Sequence, residues 1–355
     1  MRVAIAHYWL LNMRGGEKVL EALCRILPQA DLFTLFYEPR KVSEIIRSRK
    51  VTASFLNRGR RFYRSLLPLM PLALESLDLR DYDLVISSES GPAKGVLTRA
   101  ETRHVCYCHT PMRYLWQMYP DYLHDWTPAW KRGLMAPIAN YLRLWDYSTA
   151  ARVDEFVANS ENVRRRIWRT YRRESEVVPP PVDVDHFTWQ PPRDFYLSVG
   201  ELVAYKRLDY AVRWFSQSGR RLRIVGTGPE YANLRKLAGP NIEFCGHVTD
   251  SELRGLYAQC RALLMPGEED FGITAVEATA SGKPVIALGR GGVLDSVPPE
   301  GLFPYERPLE CDPCRRRRSL RVRRSIDTGR TSLQRAAARF SEAAFAERMR
   351  SILRV

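Results

Sequence analysis

An α/β fold of two doubly wound parallel-sheet domains is predicted by three features of the sequence. Short apolar runs alternate with amphipathic stretches, the rhythm of strand-helix-strand units. The rhythm restarts after a proline-rich segment, "PPPVDVDHFTWQPP" (179–192). The 355 residues also exceed the size at which single cores usually stop growing, so two domains are expected. The boundaries follow: a first domain at 1–180, a linker at 181–192 whose prolines forbid helix and favour an extended crossing, a second domain at 193–330, and an amphipathic C-terminal helix at 331–355.

In the first domain "RVAIAHY", "DLFTLF", "YDLVISS", "HVCYCHT" and "EFVANS" read as strands, each a short run of apolar and β-branched residues. In the second, "FYLSVG", "RLRIVGTG", "NIEFCGHV", "ALLMPG" and "KPVIALG" repeat the pattern, with helices at 207–218, 229–237, 251–259 and 273–281 between them. Sheets of this kind bind ligands in loops at the carboxyl ends of their strands.

Composition narrows the function class. A hydrophobic share of 45% is that of an ordinary globular chain. The 7 cysteines form no framework, and no leader pattern opens the chain, which reads as a reducing, cytoplasmic compartment. "LLPLMPLALE" (66–75) is too short to span a bilayer and is broken by Pro68 and Pro71. A net charge of +15 calls for an anionic partner. Arg58, Arg60, Arg61 and Arg64 stand among aromatics beside that apolar run, a composition suited to peripheral binding at an anionic membrane surface, the inner face of the cell membrane. A plain packing face for the apolar half is the alternative. No nucleic-acid recognition motif accompanies the arginines, so nucleic acid is not expected. The arginine-rich stretch 308–330 lacks periodicity and reads as a solvated or disordered insert.

"GEEDFGITAVEATASGKPVIA" (267–287) holds the strongest chemical signal. It reads as a loop at the end of a strand running into a helix, with Glu269 in the loop and Glu277 in the helix. Four acids are more than helix capping needs. Backbone N–H groups of Phe271, Gly272, Ile273 and Thr274 at the helix start suit a phosphate. Carboxylates suit hydroxyls instead. Phosphate between two hydroxyl-bearing ends describes a nucleotide sugar. The alternative, in which the acids only cap the helix and solvate the loop, stays open.

The stretch "EDFGITAVE" resembles the E-x7-E signature of the retaining GT-B glycosyltransferases of family 4. Further matches lie in order along the chain: "GGEKVLEAL", "CHTPMRYLW", "VANSENVRRRI", "PPPVDVDHF", "VGELVAYKRLDYAV", "IVGTGPE", "GHVTDSELRGLYAQCRALLMPGEEDFG" and "ASGKPVIALGRGG". The set is most similar to bacterial mannosyltransferases of O-antigen and other surface polysaccharides. The resemblance implies the GT-B fold, two Rossmann-like domains facing across a cleft. It also implies transfer of a hexosyl unit, mannosyl from GDP-mannose, to a lipid-linked saccharide acceptor with retention of configuration.

Residue by residue, the resemblance places Gly15 and Gly16 at the donor diphosphate, His109 against the transferred sugar, Lys206 on the diphosphate with Arg207 assisting, Glu269 on sugar hydroxyls and Glu277 on the ribose. Gly226 and Gly228 are assigned to a nucleotide-side turn by position alone. Glu201 occupies the place where the family usually carries an arginine, which leaves the charge role to Lys206. No metal and no cofactor are required: "DVD" (183–185) lies in the proline-rich segment and not after a strand, and "CDPC" (311–314) is half a zinc site with no second pair. A nucleotide-sugar 2-epimerase of the same fold and a non-catalytic sugar-binding module are the rival readings.

Overall fold

The computed structural model of the chain describes residues 1–124, 129–305 and 330–355. Contacts divide it into two units, residues 1–181 with 345–355, and residues 182–344. "CDPC" and the arginine-rich stretch, apart from Arg330, lie outside the described residues.

The first unit is built on seven parallel strands: β1 (Val3–His7), β2 (Asp31–Thr34), β3 (Val51–Ala53), β4 (Leu84–Glu89), β5 (Arg103–Cys108), β6 (Glu155–Ala158) and β7 (Ser175–Val177). Their order is β3-β2-β1-β4-β5-β6-β7. β1 and β4 are buried along their whole length, as strands covered on both faces must be, and so they read as continuous apolar runs. The helix Gly15–Ile26 covers one face through Val19, Leu20 and Leu23, which join Ile5, Ile86 and Tyr107 in one core. A second core on the other face gathers Ala4, Phe36, Met70, Leu74 and Val85.

The second unit has six parallel strands: β8 (Tyr196–Val199), β9 (Leu222–Val225), β10 (Ile242–Gly246), β11 (Leu263–Met265), β12 (Val285–Leu288) and β13 (Leu302–Tyr305). Their order is β10-β9-β8-β11-β12-β13. Each unit therefore reverses its strand order once, between β1 and β4 in the first and between β8 and β11 in the second. Crevices outside the carboxyl ends of strands at such reversals are where doubly wound sheets hold ligands.

Three strands escape the sequence pattern: β3, β7 and β13. All three are sheet edges, short and only partly buried, so their residues carry little of the apolar run that marks a central strand. The segment 181–192, expected as an extended linker, belongs from Val182 onward to the second unit. Val182 and Val184 pack with Phe271, Val276 and Phe340, and the Val182 N–H donates to Phe340 O at 2.8 Å. Despite the prolines, Val184–His186 forms a 3-10 turn. Fully buried Lys283 then donates to Gln190 O at 2.7 Å and lies over the Trp189 ring. The apolar residues between the prolines have a core to enter, which an exposed linker would not offer them.

The C-terminal region, expected as one helix, is two: Arg330–Ala337 and Glu342–Leu353. The chain turns between them through Ser341, whose extended backbone bridges to Val182. In the later helix Phe345, Met349 and Leu353 enter the first unit's core. No described helix is long and apolar enough to cross a membrane.

Candidate functional site

Each unit gathers polar residues at its strand reversal. In the first, His7 ends β1, Ser88 and Glu89 end β4, and His109 follows β5 directly. Ser88 Oγ stands between the two rings, 3.2 Å from His7 Nδ1 and 3.0 Å from His109 Nε2. His109 is held from three more directions: its N–H donates to Glu89 O at 2.7 Å, its carbonyl accepts from Asn159 Nδ2 at 2.9 Å, and Tyr107 meets it edge-on. Burial, with His7 alongside, pushes the half-buried His109 imidazole down to about 3, so the ring is neutral at physiological pH. His104, five residues earlier, is the contrast. Its two ring nitrogens are satisfied by Ser87 and by Arg152 O inside the core.

The glycine turn joins the same place. A Cβ on Gly16 would lie 2.9 Å from Tyr8 Oη, 3.6 Å from His109 Nε2 and 3.7 Å from His7 Cε1. Glycine here lets the helix approach the strand ends without crowding the Tyr8 hydroxyl. Gly15 is the first residue of that helix, and Glu17, two residues on, is fully buried with Oε2 accepting the Arg14 N–H at 2.9 Å.

Beneath these strand ends lies a buried charge cluster. Lys94 is fully buried, with Nζ bonded to Asp146 Oδ1 and 3.5 Å from Glu89 Oε1. Asp146 Oδ2 also accepts from Trp116 Nε1 at 2.7 Å and from Tyr171 OH at 2.9 Å. Two carboxylates thus share one cation. Burial, then the charge of Asp146, pushes Glu89 up to about 7, with Lys94 pulling the other way. The cluster ties the loop that follows His109, through Trp116, to the end of β4.

In the second unit, Lys206 and Glu269 meet: Nζ is 3.2 Å from Oε1, and their side chains are 20% and 22% exposed. Both line one depression with Ser198, Gly200, Gly267 and Thr274. Glycines set this geometry. Gly200 has φ +146°, and a Cβ there would sit 2.5 Å from Lys206 Nζ. Gly226, at φ +127°, is pressed against the Gly200 carbonyl, and Gly228 against the backbone of Leu202. Gly226 and Gly228 therefore pack the β9 loop onto the β8 loop that carries Lys206. Gly291 and Gly292 do the same for the acidic loop, Gly292 N–H donating to Glu269 O at 2.8 Å.

Other expected residues are placed differently. Arg207, in the left-handed region at φ 52°, lies over the Tyr210 ring at 4.2 Å and beside Asp209. It turns along its own helix and does not line the depression around Lys206. Glu277 is 6% exposed, and its Oε2 accepts from the buried Tyr257 OH at 2.7 Å. Phe271 is buried against Phe340, while Gly272, at φ +93°, opens the helix Ile273–Ala280 whose first N–H groups have no intrahelical acceptor. Asp183 of "DVD" is engaged by His186 Nδ1 and by Arg254. Arg60 is paired with Glu38 at 3.0 Å, whereas Arg58, Arg61 and Arg64 are exposed beside Phe55, Phe62, Leu69 and Leu72.

Two family models divide this architecture between them. "Glycosyltransferase Family 4" matches residues 13–186 and "Glycosyl transferases group 1" residues 184–301. The chain belongs to the family 4 glycosyltransferases of the GT-B fold. The chain is 35% identical to a GDP-mannose-dependent alpha-mannosyltransferase of Mycolicibacterium smegmatis over 32% of its own length and 30% of that protein. It is 30% identical to the O-antigen chain mannosyltransferase C of Escherichia coli over 40% of the chain and 43% of that protein. The matched stretches span only 30% and 43% of these two curated relatives' own lengths. In fold, it resembles sucrose-phosphate synthase from Thermosynechococcus elongatus, with a TM-score of 0.68 at 17% identity over 100% of the chain and 98% of that one. Anabaena HepE in complex with UDP and glucose gives 0.66 at 15% identity over 99% of both chains.

Sequence reasoning missed His7, Glu17 and Ser88 in the first unit, and Gly200, Gly267, Gly291 and Gly292 in the second. Position at a strand's carboxyl end, the signal that singled out His109, marks His7, Ser88 and Gly200 equally well. Glu17 carried no such signal, because an acid in a helix's first turn is ordinary.

Proposed function

We propose that the chain transfers a mannosyl unit from GDP-mannose to a lipid-linked saccharide, with retention of configuration, at an anionic membrane surface. The Lys206–Glu269 pair carries this reading, because it sets a cation and a hydroxyl acceptor side by side at the second unit's strand reversal. Without ligand each holds the other's charge. A diphosphate competes for Lys206 and leaves Glu269 to accept from sugar hydroxyls. The N–H groups of Gly272, Ile273 and Thr274 add partial positive charge for the phosphates, and the glycines around Lys206 keep its loop in place. As the glycosidic bond breaks, negative charge grows on the leaving diphosphate, and a fixed cation there stabilises the transition state more than the ground state. Retention follows when the incoming hydroxyl's proton passes to that leaving group on the same face of the sugar. His109, neutral, contacts the sugar as a hydrogen-bond partner and not as a charge. Mannosyl donors are favoured by the names of the relatives in Mycolicibacterium and Escherichia coli, and the exposed Arg58, Arg61 and Arg64 beside exposed aromatic and aliphatic side chains favour the membrane.

The test is transfer of labelled sugar from a panel of nucleotide sugars to membrane lipid extracts, with anomeric configuration read by NMR. Lys206→Ala is expected to lower kcat by roughly two to three orders of magnitude, the size lost with one preorganised electrostatic group. Product of inverted configuration, an epimerised donor without any acceptor, or an unchanged kcat in the variant overturns the reading.

A further inference from the structure

Ser88 has one hydroxyl proton and two histidine neighbours, so it donates to one ring and accepts from the other. The direction is decided at the far end of the chain of contacts. There the fully buried Glu17 has Oε1 3.8 Å from His7 Nε2, and both atoms are buried with no hydrogen-bond partner. Two orphaned polar atoms facing each other at this distance are one small closure from a hydrogen bond, and an unmade bond in such a place is costly. A carboxylate only accepts. The proton between them therefore sits on His7 Nε2, which leaves Nδ1 of the same ring as an acceptor. Ser88 then donates to His7 Nδ1 and accepts from His109, so His109 carries its proton on Nε2.

We infer that Glu17 is a positioning residue that acts through His7 and Ser88 to fix His109 as the Nε2–H tautomer, leaving its Nδ1 lone pair to accept a hydroxyl of the bound sugar. The final clause rests on the proposed contact between His109 and the transferred sugar; the relay itself does not. Three properties of the first unit converge on it. Gly16 brings the helix that carries Glu17 within reach of the strand ends: a Cβ at that position would crowd Tyr8 Oη at 2.9 Å and stand in van der Waals contact with His109 and His7. Glu17 is oriented by the Arg14 N–H, which takes its other oxygen at 2.9 Å. His109 is pinned through its backbone on both sides, by Glu89 and by Asn159, so a change of tautomer alters what the ring presents and not where it stands.

Substituting Glu17→Gln has a specific consequence. The amide oxygen keeps the Arg14 N–H, and the NH2 group is left facing His7 Nε2. A donor there requires a lone pair on that nitrogen, so the His7 proton moves to Nδ1. His7 then donates to Ser88, Ser88 donates to His109 Nε2, and the His109 proton moves to Nδ1. The whole chain reverses for one isosteric change.

Long-range proton–nitrogen NMR on the ¹⁵N-labelled full chain at neutral pH reads these tautomers directly, with the His7 and His109 signals assigned by single histidine substitutions. Wild type is expected to show both rings as Nε2–H, and Glu17→Gln both as Nδ1–H. Ser88→Ala is expected to leave His7 as Nε2–H and to release His109 into a mixture. An Nδ1–H His109 in the wild type, a doubly protonated His7, or an unchanged His109 in Glu17→Gln overturns the relay. Should Glu17→Gln fail to fold, the wild-type and Ser88→Ala spectra decide. Calorimetry with GDP-mannose reads the last clause separately: reversal should weaken binding about tenfold, the worth of one hydrogen bond. Reversed tautomers with unchanged affinity overturn the sugar contact and spare the relay, whereas no binding by the wild type overturns the choice of donor.

Discussion

Replacing Lys94 by Met removes the one cation that two buried carboxylates share. Breaking a buried ion pair from one side costs about 3–5 kcal/mol, because the charge left behind is neither solvated nor paired. The surviving contacts place Lys94→Met near the lower end. Asp146 keeps Trp116 at 2.7 Å and Tyr171 at 2.9 Å, and Glu89 keeps the backbone N–H of position 94 at 2.7 Å. A loss of about 3 kcal/mol is a large share of the roughly 5–15 kcal/mol that keeps a domain folded. Urea unfolding followed by tryptophan fluorescence is the assay, since Trp116 touches the cluster itself. The charge account makes a sharper claim than destabilisation. In the Lys94→Met background, Asp146→Asn should restore more than about 1 kcal/mol by removing the orphaned charge, although the same substitution alone destabilises the parent chain. If Lys94→Met costs under about 1 kcal/mol, or if the second substitution makes the protein still less stable, the cluster is not held by charge and the reasoning fails.

Glu89 in the same cluster gives a pH signature. Its folded pKa lies near 7, above the ordinary 4.5, so between those values the folded chain holds a proton that the unfolded chain has released, and stability falls as pH rises through that window. Glu89→Gln removes this term, and its stability relative to wild type should improve by about 3 kcal/mol between pH 4 and pH 8, read from paired urea titrations; a flat difference refutes it. Gly226→Ala should cost roughly 1–3 kcal/mol or more of stability and lower the melting temperature accordingly, because the new Cβ meets the Gly200 carbonyl at a backbone angle of +127°. Gly219→Ala has nothing within 4 Å of the new Cβ and serves as the control that carries backbone strain alone, so equal losses in the two would refute the packing role of Gly226. Arg58, Arg61 and Arg64 replaced together by Glu should abolish sedimentation with phosphatidylglycerol vesicles, while Arg60→Ala should cost little because Arg60 is paired with Glu38. Binding that survives the triple substitution, or that does not fall as salt rises, removes the membrane from the reading.

The two-unit α/β architecture was legible because central parallel strands are buried on both faces and leave unbroken apolar runs, as "VAIAH" and "LVISSE" do. Three of the four edge strands were not, since short segments such as "VTA" and "SEV" are held by backbone pairing that any sequence can supply. Of the candidate site, the residue types were legible. Glu269 in an acidic loop, Lys206 after a strand and His109 at a strand's end were singled out by residue type together with position. Which of them meet was decided by the fold. Lys206 and Glu269 are 63 positions apart in the chain and are joined because β8 and β11 are neighbours at the strand reversal, while Arg207, adjacent to Lys206, is turned away by a left-handed backbone angle. Glu17, Ser88 and His7 look unremarkable as letters and acquire a role only when β1, β4 and the glycine turn bring them to one point. Residue identity sets what a group can do; the crossing of strands distant in sequence sets what it does it to, because hydrogen bonds and ion pairs act over a few ångströms that only the folded chain can close.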